Sequence, residues 1–171
     1  QLVQVDKVVR ERFILAPIDR VWSAVATADG LSQWWLKGVE GSLDVGSRPS
    51  FEFPCGTSSV VEITERQEPT RFALRWPVKD TEVWTAVLFV LAATDRGTRI
   101  EVREEGFAEI AEPLRANNLK EQGEGWTIVM NWLVEHLEKG PTAPQSSKPS
   151  ETQPASPSSS VWASAAPCRP A

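Results

Sequence analysis

The segment GWTIVMNWLVEHL, residues 125–137, constrains the fold more than any other part of the sequence. Each residue of a helix advances by about 100° around the axis. With Trp126 set at zero, Met130 lies at about 40° and Val129 at about 300°. Trp132 lies at about 240°, at the edge of the apolar arc. The opposite side of this helix is polar: Thr127, Asn131, Glu135 and Glu138. A helix with so wide an apolar arc requires a concave partner.

Short β-rich segments predict a β-sheet as the concave partner of this helix. A strand at 6–15 precedes Pro17, which opens a first helix, and LSQWW at 31–35 forms a second short helix. Further strands are predicted at 48–53, 58–66, 70–76, 82–93 and 98–105. Tight turns between them favour an antiparallel meander, which twists and curls around one long helix. We therefore expect an α+β helix-grip fold, with a curved antiparallel sheet of six or seven strands.

Alternation along the strands predicts one dry and one wet face. Phe72, Leu74 and Trp76 share one face, whereas the arginines at 71 and 75 point the other way. The last helix is predicted to start near Asn118, with Glu121 completing a capping box, and to become strong from Trp126 to Lys139.

Composition separates the chain into two parts. Residues 140–171 contain seven Pro and eight Ser with few large apolar side chains, which predicts a disordered tail behind a domain at 1–139. The formal net charge is −5, with interspersed charges and no apolar run long enough to span a bilayer, so we expect neither nucleic acid nor membrane as partner. Cys55 and Cys168 make neither a disulfide framework nor a metal-ligand cluster, and a cytoplasmic location is expected.

The order of several motifs resembles a known family. These motifs are RERFILAPIDRVWSAVATADGLSQWW, the Phe51–Phe53 pair, VVEITERQEPTRFALRW, GTRIEVREEGF, and Gly125–Trp126 at the start of the strong helix. Together they cover about residues 6–139. The chain resembles the SRPBCC (START-like) superfamily, in particular the group named after the C-terminal domain of the activator of the heat-shock chaperone ATPase.

The resemblance implies a curved sheet that grips the C-terminal helix, with an elongated cavity between them. Eight residues are nominated as its lining: Trp34, Trp35, Phe51, Phe53, Trp76, Phe107, Trp126 and Met130. Aromatic side chains with one flexible methionine suit flat apolar ligands. The alternative is that the same side chains simply fill the core, since large buried aromatics are normal there.

Two carboxylates complete the set of candidate binding residues. Glu104 follows Ile100 and Val102 in phase, which predicts an inward side chain, and Glu62 shares a strand face with Val60 and Thr64. Either could anchor a polar group or act as acid or base, or could lie where the strand face reaches solvent. We nominate no catalytic residue, metal ligand or cofactor, and we interpret the single His136 as structural.

Three functions follow from this reading. The first is binding of a small apolar ligand without catalysis, in a monomer or homodimer. The second is chaperone assistance, in which the resemblance implies contact with the heat-shock chaperone and stimulation of its ATPase. The third is an enzyme that resembles the polyketide cyclases of the same superfamily. Shared fold alone does not separate them.

Overall fold

A computed structural model describes residues 7–78 and 81–139. The strands are β1 Lys7–Ile14, β2 Gly38–Glu40, β3 Ser50–Glu52, β4 Ser58–Val60, β5 Glu62–Gln67, β6 Arg71–Pro77, β7 Trp84–Ala93 and β8 Thr98–Glu105. The helices are α1 Ile18–Ala26, α2 Ala28–Trp34 and α3 Leu114–Lys139, and a 3-10 turn spans Phe107–Glu109. This is the expected α+β helix-grip fold. The predicted tail at 140–171 lies outside the described residues, so the domain boundary stays a prediction.

All paired strands are antiparallel and form one curved surface. Five strands follow the order β1-β8-β7-β6-β5, and three follow the order β2-β3-β4. The two ladders are joined at Val61, whose N–H donates to the Pro49 carbonyl at 2.9 Å, and at Ile63, whose N–H donates to the Ser47 carbonyl at 3.0 Å. The eight strands exceed the six or seven expected for two reasons. The predicted strand at 58–66 is two strands, β4 and β5, and β2 is a three-residue strand that starts at a glycine and carries no alternation signal.

The polar side of α3 lies along β1. Arg10 Nε donates to Thr127 Oγ1 at 2.8 Å, and Arg10 Nη2 donates to the Gly123 carbonyl at 3.0 Å. Nearer the helix end, the Leu15 N–H donates to Glu138 Oε2 at 3.0 Å. These bonds orient α3 so that its wide apolar arc faces the concave side of the sheet.

The start of α3 differs from the prediction. The helix begins at Leu114, so Asn118 lies in its second turn and is not the N-cap. The Asn118 side chain is buried, and its Nδ2 donates to the Leu114 carbonyl at 2.9 Å. The capping-box pattern was misleading because Asn and Glu also occur inside helices when tertiary contacts favour them.

The inner and outer faces of the sheet agree with the predicted alternation. Phe72, Leu74 and Trp76 are buried on the concave face, as are Ile100 and Val102 of β8. On the outer face, ion pairs join neighbouring strands, such as Arg71 Nε to Glu65 Oε2 at 2.8 Å. The candidate site therefore lies on the concave side.

Candidate functional site between the long helix and the sheet

Five aromatic side chains meet between α3 and the sheet, and we call them the aromatic cluster: Trp35, Phe53, Trp76, Phe89 and Trp126. The rings of Trp76 and Trp126 stack, with centroids 5.9 Å apart and an angle of 15° between their planes. Trp35 contacts Trp126 edge-on at 5.6 Å, and Phe89 contacts Trp126 at 5.9 Å. Such offset and edge-on pairs are the preferred geometries of aromatic rings.

Most of the nominated residues are brought together here. Phe51, Phe107 and Met130 are fully buried in the same core as the aromatic cluster. Trp34 is half-buried at the end of α2, where its Nε1 donates to the Ala24 carbonyl at 2.9 Å. Phe89 was missed because the run in β7 is apolar at almost every position, which leaves the inward face unmarked.

Glu104 lies at the centre of this apolar interior, with only 1% of its surface exposed. Its Oε2 accepts hydrogen bonds from Trp76 Nε1 at 3.0 Å and Thr85 Oγ1 at 2.6 Å. Its Oε1 accepts from Gln122 Nε2 and Trp126 Nε1, both at 2.8 Å. We call these five residues the Glu104 cluster.

The Glu104 cluster explains how a carboxylate is tolerated inside the core. A buried carboxylate is costly unless hydrogen bonds replace its hydration, and this one accepts about as many as its two oxygens can take. The donors come from β6, β7 and α3, so the cluster also ties the helix to the sheet. Thr85 and Gln122 were missed by the sequence analysis, although Gln122 stands four residues before Trp126 and so shares its helix face.

Comparisons with known proteins agree with this architecture. A sequence model of the family described as Activator of Hsp90 ATPase homolog 1-like protein matches residues 15–138. The chain belongs to this family. It lies within the SRPBCC superfamily, as the sequence motifs indicated. No match was found among the curated proteins.

Solved structures share the fold of this family member at low sequence identity. Protein MLL2253 from Mesorhizobium loti is 20% identical, with a TM-score of 0.69 over 79% of this chain and 98% of that one. The Aha1 dimer from Colwellia psychrerythraea is 20% identical, with a TM-score of 0.66 over 78% and 97%. DynU16, a putative protein in the dynemicin biosynthetic locus, is 21% identical, with a TM-score of 0.70 over 80% of this chain and 49% of that one.

Glu62, the other nominated carboxylate, lies on the outer face of the sheet. Its Oε1 accepts from Arg75 Nη1 at 3.1 Å and lies 3.8 Å from Arg48 Nη2. The Arg75 guanidinium also covers the ring of Trp84 at 5.3 Å. In this family member, Glu62 therefore belongs to a surface network and does not touch the Glu104 cluster.

His136 lines a separate cleft of about 470 Å³ between α1, α2 and the end of α3. Its other lining residues are mostly polar: Asp19, Arg20, Ser23, Ala24, Thr27, Asp29, Gly30, Gln33 and Leu137. Burial, and secondarily the positive charge of Arg20, lowers the pKa of His136 below its usual value. A neutral imidazole packed against a helix end fits the structural role expected from the sequence.

Within 7–78 and 81–139, no three His, Cys, Asp or Glu side chains converge in a way that could hold a metal ion. None of the described helices is long and apolar enough to cross a membrane. Cys55 lies in the turn after β3 and is disulfide-bonded. Because disulfides persist mainly in oxidising compartments, the cytoplasmic location stays a prediction.

Proposed function

We propose that this protein binds a small, flat, largely apolar molecule between α3 and the sheet, beside Glu104. The observation that carries the proposal is the Glu104 cluster, a buried carboxylate with four donors inside an aromatic interior. Binding sites of this class combine an apolar lining with a few convergent polar groups. A purely structural core would avoid the cost of burying the carboxylate.

The aromatic cluster suits a flat ligand because the ring of the ligand can replace the contacts that one protein ring makes with the others. Trp35 lies at the end of the seven-residue helix α2, outside the ladders of both sheets, and touches Trp76 and Trp126 through its ring. A planar ligand that takes the place of the Trp35 ring keeps the apolar burial nearly constant. Met130 lies in the same core and can adapt its unbranched side chain to different shapes.

Tryptophan variants test this proposal with a matched control. Trp126 is fully buried and bonded to Glu104, whereas Trp132 is half-buried at the rim of the same helix. Titration of 2-naphthol should give saturable binding to the wild-type protein by calorimetry. Trp126→Phe should weaken this binding at least about tenfold, because the stacked indole and its hydrogen bond are both lost. Trp132→Phe should change it less than about twofold.

Two results would count against ligand binding. One is the absence of saturable binding by the wild-type protein across naphthols, flavonoids and fatty acids. The other is an equal loss of affinity in both tryptophan variants, which would indicate general destabilisation and not a contact with the ligand.

A second candidate function is contact with a chaperone through the protein surface. The specific observation in its favour is that the interior rings already touch one another and that all four donors of Glu104 come from the protein itself. The family description names an activator of the chaperone ATPase. Stimulation of purified Hsp90 ATPase by this protein, unchanged in Trp126→Phe, would favour this function over ligand binding.

The polyketide-cyclase-like alternative ranks behind both. It needs a reacting acid or base that faces the bound molecule, and Glu104 is held as a hydrogen-bond acceptor by four donors. Glu62 lies on the outer face of the sheet in an ion pair with Arg75. We therefore place binding ahead of turnover.

A further inference from the structure

We infer that the ligand of the proposed site is an aromatic molecule whose polar end is a hydrogen-bond donor, a hydroxyl or amine, accepted by Asn118. This inference rests on the proposed binding function and adds the chemical class of the ligand. Its basis is Asn118, a buried polar side chain on the face of α3 that also carries Gln122 and Trp126 of the Glu104 cluster.

Asn118 carries a buried acceptor. The residue is fully buried in the second turn of α3, and no donor among the described residues reaches its Oδ1. The orientation of the amide is set by its other atom, because Nδ2 donates to the Leu114 carbonyl at 2.9 Å. A carbonyl can only accept, so exchanging the two amide atoms would break this bond. Asn118 Oδ1 therefore needs a donor from elsewhere.

The position of Asn118 connects it to the proposed site. Asn118, Gln122, Trp126 and Met130 follow one another at four-residue spacing on α3, and all four are buried. Successive members of such a row lie on one helix face and are separated by about 6 Å along the axis. Asn118 therefore stands one turn beyond Gln122, which bonds Glu104 at 2.8 Å. The polar groups form a track that leads away from the aromatic cluster.

The chemistry of this track selects the ligand. Glu104 already accepts four hydrogen bonds, whereas Asn118 Oδ1 accepts none from the described residues, and leaving a buried acceptor without a donor is unfavourable. A hydroxyl or amine on a flat ring system would satisfy Asn118 while the ring contacts the aromatic cluster. A ligand with a carboxylate at the same place would instead bring acceptor against acceptor. The structure thus favours phenol-like or amine-bearing aromatics over aromatic acids and over ethers of the same shape.

The test compares 2-naphthol with 2-methoxynaphthalene, which keeps the rings and the oxygen but lacks the donor. Calorimetry with the wild-type protein should show at least about tenfold tighter binding of 2-naphthol, since a site built around a buried acceptor rejects the analogue without the donor. In Asn118→Leu the preference should fall below about twofold. Asn117→Leu is the matched control, because Asn117 is the exposed neighbour on the same turn, and it should keep the wild-type preference.

Each outcome has a separate meaning. Equal affinities of the two compounds for the wild-type protein would overturn the inference and leave the proposed function standing. Retention of the preference in Asn118→Leu would also overturn it, because the donor would then be recognised elsewhere. Should Asn118→Leu fail to fold, Asn118→Ala takes its place. The comparison of the two naphthalenes on the wild-type protein also still tests the inference. Failure of both naphthalenes and all other flat aromatics to bind would remove the proposed function itself.

Discussion

Glu104 shows how a single charged residue can be held in a core at the scale of one side chain. Each carboxylate oxygen accepts two hydrogen bonds, with distances from 2.6 to 3.0 Å. The exchange of either oxygen for an amide nitrogen therefore brings a donor against an indole N–H that can only donate, that of Trp76 at Oε2 or that of Trp126 at Oε1. No other arrangement of a glutamine side chain at this position avoids that conflict.

We accordingly expect Glu104→Gln to lower the free energy of unfolding by about 2–4 kcal/mol, as for a broken buried polar network. Urea unfolding followed by far-UV circular dichroism measures the change. Glu101→Gln is the control on the same strand, where an outward carboxylate lies 3.2 Å from Arg103 Nη2. Because that pair is surface-exposed, the control should lose less than about 1 kcal/mol. Equal losses in both variants would contradict the special role of the Glu104 cluster.

His136 predicts a pH dependence at the same scale. Burial and Arg20 lower its pKa in the folded state, so the unfolded chain, with a histidine pKa of about 6.5, binds a proton first as the pH falls. The His136 contribution to stability is therefore intact above that pH and is lost as the pH decreases towards the folded pKa. Asp19 of α1 and Asp29 of α2 line the same cleft.

The measurement is the free energy of unfolding in urea at pH 7.5 and at pH 5. The wild-type protein should lose more stability across this interval than His136→Gln, which has no titratable side chain at position 136. Arg20→Gln should lie between the two, because burial still disfavours the charged imidazole. An identical pH slope for wild type and His136→Gln would refute the assignment.

At the scale of elements, the crossing of α1 and α2 depends on a glycine. A Cβ on Gly30 would lie 1.8 Å from the Ser23 carbonyl oxygen, a backbone atom that cannot rotate away. Gly30→Ala should therefore lower the free energy of unfolding by about 3 kcal/mol or more. Gly38→Ala is the control, since its nearest contact is Glu52 Oε1 at 3.7 Å, an ordinary distance. Thermal unfolding of both variants would compare them directly, and a tolerant Gly30→Ala would show that the helices can separate.

Elements with a strong period were predictable, and short or crowded ones were not. The long strands β1, β6, β7 and β8 and the amphipathic part of α3 match the expected segments within a few residues. β2 was missed because three residues carry no period. The start of α3 was misplaced because Asn118 suits a cap locally, whereas its buried position is set by packing against distant residues.

At the scale of the whole molecule, composition predicts that residues 140–171 add no stability to the domain. A chain that ends at Lys139 should unfold within about 0.5 kcal/mol of the full chain, since a Pro- and Ser-rich segment buries little apolar surface. Both proteins are compared in reducing buffer, so that the Cys55 disulfide is absent from each. A loss above about 1 kcal/mol in the shortened chain would move the domain boundary beyond residue 139.

The local features of this protein could be predicted from its amino-acid sequence. Period-2 and period-3.6 patterns are set by neighbours a few residues apart, so they predicted the curved sheet, the gripping helix, the inward phase of Glu104 and the different positions of Trp126 and Trp132. What these side chains contact depends on how the chain folds. Trp76, Thr85, Gln122 and Trp126 lie between 18 and 28 positions from Glu104 along the chain, and their convergence depends on the sheet's curvature. No local sequence pattern encodes contacts between residues so far apart along the chain. The unsatisfied acceptor on Asn118 and the contacts of Glu104 are therefore visible only in the folded chain.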